Sequence, residues 1–280
     1  LKNILLLIFM IQISTSFAGV KVKKDINYTV KNDLRRQLNV YYKKGMAAKE
    51  VVVFIHGGSW STGKKDIYWW LARNLARKGM VAVTINYRLA PEVQYREMAQ
   101  DCADAVGWVV RNIPTYGGNP DKIFLMGHSA GAHLAELINA DPQYFLGSGI
   151  NTNPVKGLIL NDPFGLDMLE YLSKAEKDGN YYNFLHTFSA DPAVWEMGSP
   201  LHYADQIRNP HLIFYGSKTY PAIQLQSRRM YDTLLAQHIK AELHVIKNKK
   251  HVGMITQMIF GRNPLYTYIL EFIRGTGKKK

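Results

Sequence analysis

The sequence predicts an α/β fold, a mostly parallel doubly wound sheet with helices on both faces. Strand-like apolar runs alternate with segments of helical period from residue 37 to the C-terminal region. The run Val51-Val52-Val53-Phe54-Ile55 is apolar without a break and rich in β-branched residues, as a strand covered on both faces must be. No repeat, low-complexity tract or Pro/Ser-rich linker divides the 280 residues, of which 47% are hydrophobic and 20% charged. A chain of that length and composition buries one large core, so residues 19–280 read as a single domain.

Taken in order, strands are expected at 37–42 and at 51–55, the second running into His56-Gly57-Gly58-Ser59-Trp60. A helix at 66–78 leads to a strand at 80–86, which is followed by Asn86-Tyr87-Arg88-Leu89-Ala90-Pro91-Glu92. The helix at 95–112 repeats Met98, Cys102, Ala105 and Val109 at helical spacing. Gly118-Asn119-Pro120-Asp121-Lys122 leads into the strand Ile123-Phe124-Leu125-Met126, and a helix follows at 129–139. The strand at 155–160 ends in Asn161-Asp162. From Gly165 to Gly198 the alternation breaks, and Tyr171, Tyr181, Tyr182, Phe184, Phe188 and Trp195 crowd this stretch. A strand at 211–215, a helix at 223–238, a last strand at 242–246 and a helix at 264–274 complete the alternation.

In such a sheet, chemistry sits at the carboxyl ends of the strands. Gly127-His128-Ser129-Ala130-Gly131 reads G-x-S-x-G between a strand and a helix. A sharp strand-to-helix turn at a serine holds its hydroxyl clear of the backbone, and only small residues fit beside it. Upstream, the glycines after His56 free backbone N–H groups to face a developing oxyanion. Downstream, Asn248-Lys249-Lys250-His251-Val252-Gly253 forms a histidine-bearing loop after the last strand. A serine hydrolase of this order keeps its base there. Ser129 is the expected nucleophile and His251 its general base.

These three parts resemble the α/β-hydrolase superfamily, in particular carboxylesterases related to hormone-sensitive lipase, bacterial feruloyl-esterase-like enzymes and kynurenine formamidase. The resemblance extends to Ser199-Pro200-Leu201 and Gln226-Ser227. It implies an ester hydrolase for a small-molecule substrate, an oxyanion hole of the Gly58, Ser59 and Ala130 amides, and a helical cap at about 165–198 over the site. It also implies a carboxylate in a G-x-x-D pattern after the strand at 211–215, where this chain reads Gly216-Ser217-Lys218-Thr219. Thr219 cannot supply the charge. Three readings of the acid follow. Asp162 replaces it from the neighbouring strand, as in some lipases of the superfamily, or Asp162-Pro163 merely opens a turn. Asp167 is a further candidate. With no acid at all, the protein is a pseudohydrolase that binds a ligand or partner without efficient turnover.

Other features bound the function. Residues 1–18 combine Lys2, an apolar run and Ser16-Phe17-Ala18. They read as a signal peptide cleaved near Ala18, so export to the periplasm or beyond is expected. Cys102, the single cysteine, forms no disulfide framework. With no cysteine pair and no H-E-x-x-H, neither metal nor other cofactor is expected. His56, His128 and His133 are expected to pack or hydrogen-bond. The net charge of +13 comes from lysine clusters such as 21–24, Lys64-Lys65 and Lys278-Lys279-Lys280. With no nucleic-acid signature, these read as solvated surface, with weak attraction to anionic envelope components. Lys247, Lys249 and Lys250 are expected to place positive potential at the mouth of the site.

Overall fold

The computed structural model describes residues 19–45 and 47–276. The expected signal peptide lies outside the described residues. Eight strands form one sheet: β1 (Lys21–Asn27), β2 (Gln37–Tyr42), β3 (Lys49–Ile55), β4 (Val81–Ile85), β5 (Gly118–His128), β6 (Val155–Asn161), β7 (His211–Gly216) and β8 (Ala241–Ile246). Their order is β1-β2-β4-β3-β5-β6-β7-β8. The first two pairings, β1 with β2 and β2 with β4, are antiparallel, and the remainder are parallel.

The strand side chains divide between two cores, which is why these runs carry no polar alternation. Val51, Val53, Ile55, Ile123, Leu125, Leu158 and Leu160 face one side. The intervening Val52, Phe54, Phe124, Met126 and Ile159 face the other. Helices α2 (Tyr95–Asn112) and α3 (Ala130–Ala140) cover the first core. Helix α1 (Trp69–Arg77) covers the second, presenting Leu71, Ala72, Leu75 and Ala76. After α3 come α4 (Gln143–Gly147), α5 (Met168–Lys174), α6 (Gly179–Phe188), α7 (Pro192–Met197), α8 (Pro221–Ala236), α9 (His251–Thr256) and α10 (Leu265–Thr276). Phe272 and Ile269 of α10 are fully buried on the second face, each such side chain contributing about 1.5–3 kcal/mol.

All seven expected strands form, and four differences from the expected elements and surface stand out. Strand β1 escapes detection because Lys21 to Lys24 are exposed and so show no period-2 burial. As an edge strand it carries lysines, which discourage pairing with another chain. The expected helix at 66–78 begins as a 3₁₀ turn, Lys65–Tyr68, before α1. Lys65 is not solvated surface: it is 2% exposed, and its ammonium donates to Asp25 at 2.6 Å and Asp66 at 3.0 Å. The histidine loop is likewise partly helical, because His251 opens α9.

Candidate active site

Sheet register builds the site. His128 ends β5 opposite Asn161 of β6, and Asn161 in turn pairs with Phe214 of β7. Ser129 and Asp162, each one residue beyond, therefore leave the same rim of the sheet from adjacent strands. Ser129 takes φ 56°, ψ −125°, the strained turn of an elbow. A Cβ at Gly131 would lie 2.1 Å from the Ile55 carbonyl oxygen, so only glycine lets α3 start this close to β3.

His251 reaches the rim from β8, two strands away from β6, by a segment that crosses β7. The Lys218 amide donates to the Lys249 carbonyl at 2.9 Å and fixes that crossing. Gly216 makes it sterically allowed, since a Cβ there would stand 2.2 Å from the same carbonyl oxygen.

The result is a continuous hydrogen-bonded chain. The Ser129 hydroxyl lies 2.8 Å from His251 Nε2, and His251 Nδ1 lies 2.6 Å from Asp162 Oδ2. Asp162 is fully buried, with its amide donating to the Phe214 carbonyl at 2.7 Å and its Oδ1 accepting the Gly216 N–H at 2.8 Å. Thr219, at the position where the resemblance places the acid, donates its hydroxyl to Asp162 Oδ2. Asp162 thus does more than open a turn. Asp167 stays away from the imidazole: it caps α5 through the Glu170 amide and pairs with Arg229 at 2.9 Å.

The oxyanion candidates are also brought to the rim. Gly58, Ser59 and Trp60 all have positive φ, and the Ser61 and Thr62 amides fold back onto the Gly58 carbonyl. Among the described residues the Gly58 and Ser59 amides donate to no backbone acceptor. Ala130 is the first residue of α3, where an amide has no partner within the helix. Ser59, Ser129 and His251 line a cavity of about 440 Å³.

The segment 165–198 contributes Tyr171, Asn180 and Phe184 to the lining of that cavity. Phe164, Tyr171 and Phe184 form its wall with Tyr220, while Asn180, Pro221 and Ala222 complete the lining. Tyr171 and Phe184 meet Phe164 at ring separations of 4.8 and 5.5 Å. The other cap aromatics divide: Tyr181, Phe188 and Trp195 are buried in the core and Tyr182 is exposed. Lys249 and Lys250 directly precede His251, and Lys247 and Lys250 are exposed. Among the described residues no group of three His, Cys, Asp or Glu side chains is arranged to hold a metal ion.

The sequence matches the BD-FAE family over residues 38–234. The chain belongs to that family. A probable isoprenylcysteine alpha-carbonyl methylesterase of Arabidopsis thaliana is 28% identical over 274 residues, covering 92% of this chain and 64% of the relative. The esterase LipC of Mycobacterium tuberculosis is 30% identical over 222 residues, covering 73% of this chain and 53% of its own length. This chain spans less than two thirds of either relative. Esterase B of Lactobacillus rhamnosis superposes with a TM-score of 0.77 at 23% identity, covering 92% of this chain and 85% of that one. The fold is that of the α/β-hydrolases.

The histidines beside the site have structural work. Burial holds His56 and His133 down at about 4. Burial, with His251 beside it, holds His128 at about 3. His128 stacks on His251 with ring centroids 4.9 Å apart, an alignment this BD-FAE member's sequence did not signal. His133 accepts from the Trp60 indole at 3.2 Å and lies 2.7 Å from the Gly198 carbonyl oxygen, tying the loop at 57–60, α3 and the end of the segment 165–198 together.

An unfolded imidazole titrates near 6.5. Between that value and the folded values, the unfolded chain binds more protons than the native one, so stability rises with pH. The contribution is complete above about pH 6.5 and drains as pH falls toward 4, at about 1.4 kcal/mol per unit for each histidine. The urea midpoint is expected to fall steeply from pH 6.5 to 4. A flat midpoint across that window contradicts three neutral buried imidazoles.

Proposed function

We propose that this protein hydrolyses carboxylic esters of small molecules through an acyl-enzyme on Ser129. The observation that carries the reading is the unbroken chain from Ser129 through His251 to Asp162, with contacts of 2.8 and 2.6 Å. His251 Nε2 takes the hydroxyl proton as Oγ attacks the ester carbonyl. The amides of Gly58, Ser59 and Ala130 receive the oxyanion. Collapse of the tetrahedral intermediate breaks the ester C–O bond, and the leaving alkoxide takes the proton from Nε2. Water then repeats the sequence on the acyl-enzyme. Asp162 holds the imidazole tautomer and offsets the charge of the imidazolium.

Relatives named as esterases support ester cleavage. The aromatic wall and the size of the cavity suit short acyl, aryl or sugar esters. The pseudohydrolase alternative starts from Thr219 in the place of an acid, and the contact of Asp162 with His251 favours turnover over it.

A fluorophosphonate reports an activated serine directly. Treatment of the native protein is expected to add one phosphonyl group, recovered on the peptide containing Ser129. An unmodified native protein, or a label spread over several serines, sinks the reading.

A further inference from the structure

Thr219 and Asp162 stand 57 positions apart in the chain, yet the hydroxyl of one binds the carboxylate of the other. Thr219 is 7% exposed and is held by its own backbone: its amide donates to the Gly216 carbonyl at 3.1 Å, and its carbonyl accepts from Gln224 Nε2 at 3.1 Å. The hydroxyl faces an oxygen of an ionisable acid that also meets His251 Nδ1 at 2.6 Å. A carboxylate offers only lone pairs, so Thr219 is the donor.

The last torsion of an aspartate is soft, and a backbone fixed at φ 52° does not set the plane of the carboxylate. Two donors do. The Gly216 amide holds Oδ1 at 2.8 Å, and the Thr219 hydroxyl holds Oδ2, the oxygen that also meets the imidazole. Rotation of the group would break both bonds at once.

We propose that Thr219 is a positioning residue, whose hydroxyl locks the rotation of the Asp162 carboxylate so that Oδ2 stays on His251 Nδ1. This rests on the triad reading above. It gives a function to the residue that stands where the acid was expected.

Thr219→Val keeps the side-chain shape and removes the donor. On p-nitrophenyl acetate its kcat is expected to fall by about 10–100-fold, the scale of a lost hydrogen bond to a charged group, with KM changed by less than about twofold because Thr219 does not line the cavity. Thr219→Ser restores the donor and is expected to stay within about threefold of wild type. Proton NMR supplies a readout that packing alone does not move. The Nδ1 proton of His251, between imidazole and carboxylate, is expected to resonate far downfield in wild type and Thr219→Ser, and to broaden or move upfield in Thr219→Val.

Should the valine variant not fold by circular dichroism, Thr219→Ala gives the same kinetic and NMR outcome without added bulk. A donor-less variant with wild-type kcat and an unmoved resonance overturns the proposal, as does a serine variant as slow as the valine one. The two levels separate cleanly. If wild type takes the fluorophosphonate and Thr219→Val matches it in rate, only the positioning role fails. If wild type is inert to the probe, the triad reading fails and the positioning role goes with it.

Discussion

Replacing Asp162 by asparagine is expected to lower kcat on an activated aryl ester by about four orders of magnitude, the cost of the same exchange in a serine protease. The carboxylate accepts the Nδ1 proton and thereby presents a bare Nε2 lone pair to Ser129. An amide turned with its nitrogen toward the imidazole selects the opposite tautomer, and even turned the other way it carries no charge to offset the imidazolium. KM should hardly move, because Asp162 is fully buried and does not line the cavity. Asparagine tolerates the left-handed backbone at φ 52°, so folding should survive and circular dichroism should match wild type. A variant within tenfold of wild-type kcat would show that the acid is elsewhere.

Ser129→Ala is expected to cost more, about 10⁶ in kcat, since no atom remains to attack the carbonyl. The rate left over comes from the oxyanion amides and from substrate held in the cavity. Stability should move separately from activity. Ser129 sits at φ 56°, where a side chain is strained, so Ser129→Gly is expected to be as inactive as the alanine variant yet to melt at a higher temperature. Retention of ester turnover by either variant, measured by initial rates, would place the nucleophile at another residue.

The parts of this site that were legible in the sequence are those written in short, contiguous stretches. The run 51–55 announces a doubly covered strand by the absence of polar alternation, and Gly127 to Gly131 announce the turn because its sterics exclude larger residues. His251 was found by its place after the last strand, but its helix was not. Lys250 lacks a capping side chain, so nothing local marks the start of α9. Strand β1 is exposed on both faces, which erases its pattern.

The acid shows where sequence reading stops. A carboxylate missing at 219 and an extra one at 162 were both visible. Only the pairing of Asn161 with Phe214 brings the ends of β6 and β7 close enough for Thr219 to grip Asp162. Asp167 was of equal chemical type, and its fate was decided by Arg229, a residue 62 positions away. Lys65 looked like solvated charge because the carboxylate of Asp25, which accepts its ammonium, comes from the edge strand that went unseen. Contacts between distant segments decided each of these cases.

A crystal structure of the native protein treated with an aryl phosphonate reads the whole arrangement at once. The adduct is expected on Ser129 Oγ, with its phosphonyl oxygen accepting from the Gly58, Ser59 and Ala130 amides and with His251 Nδ1 still bonded to Asp162. An adduct whose imidazole turns Nδ1 to any other carboxylate, or to solvent, would contradict the assignment of Asp162 as the acid.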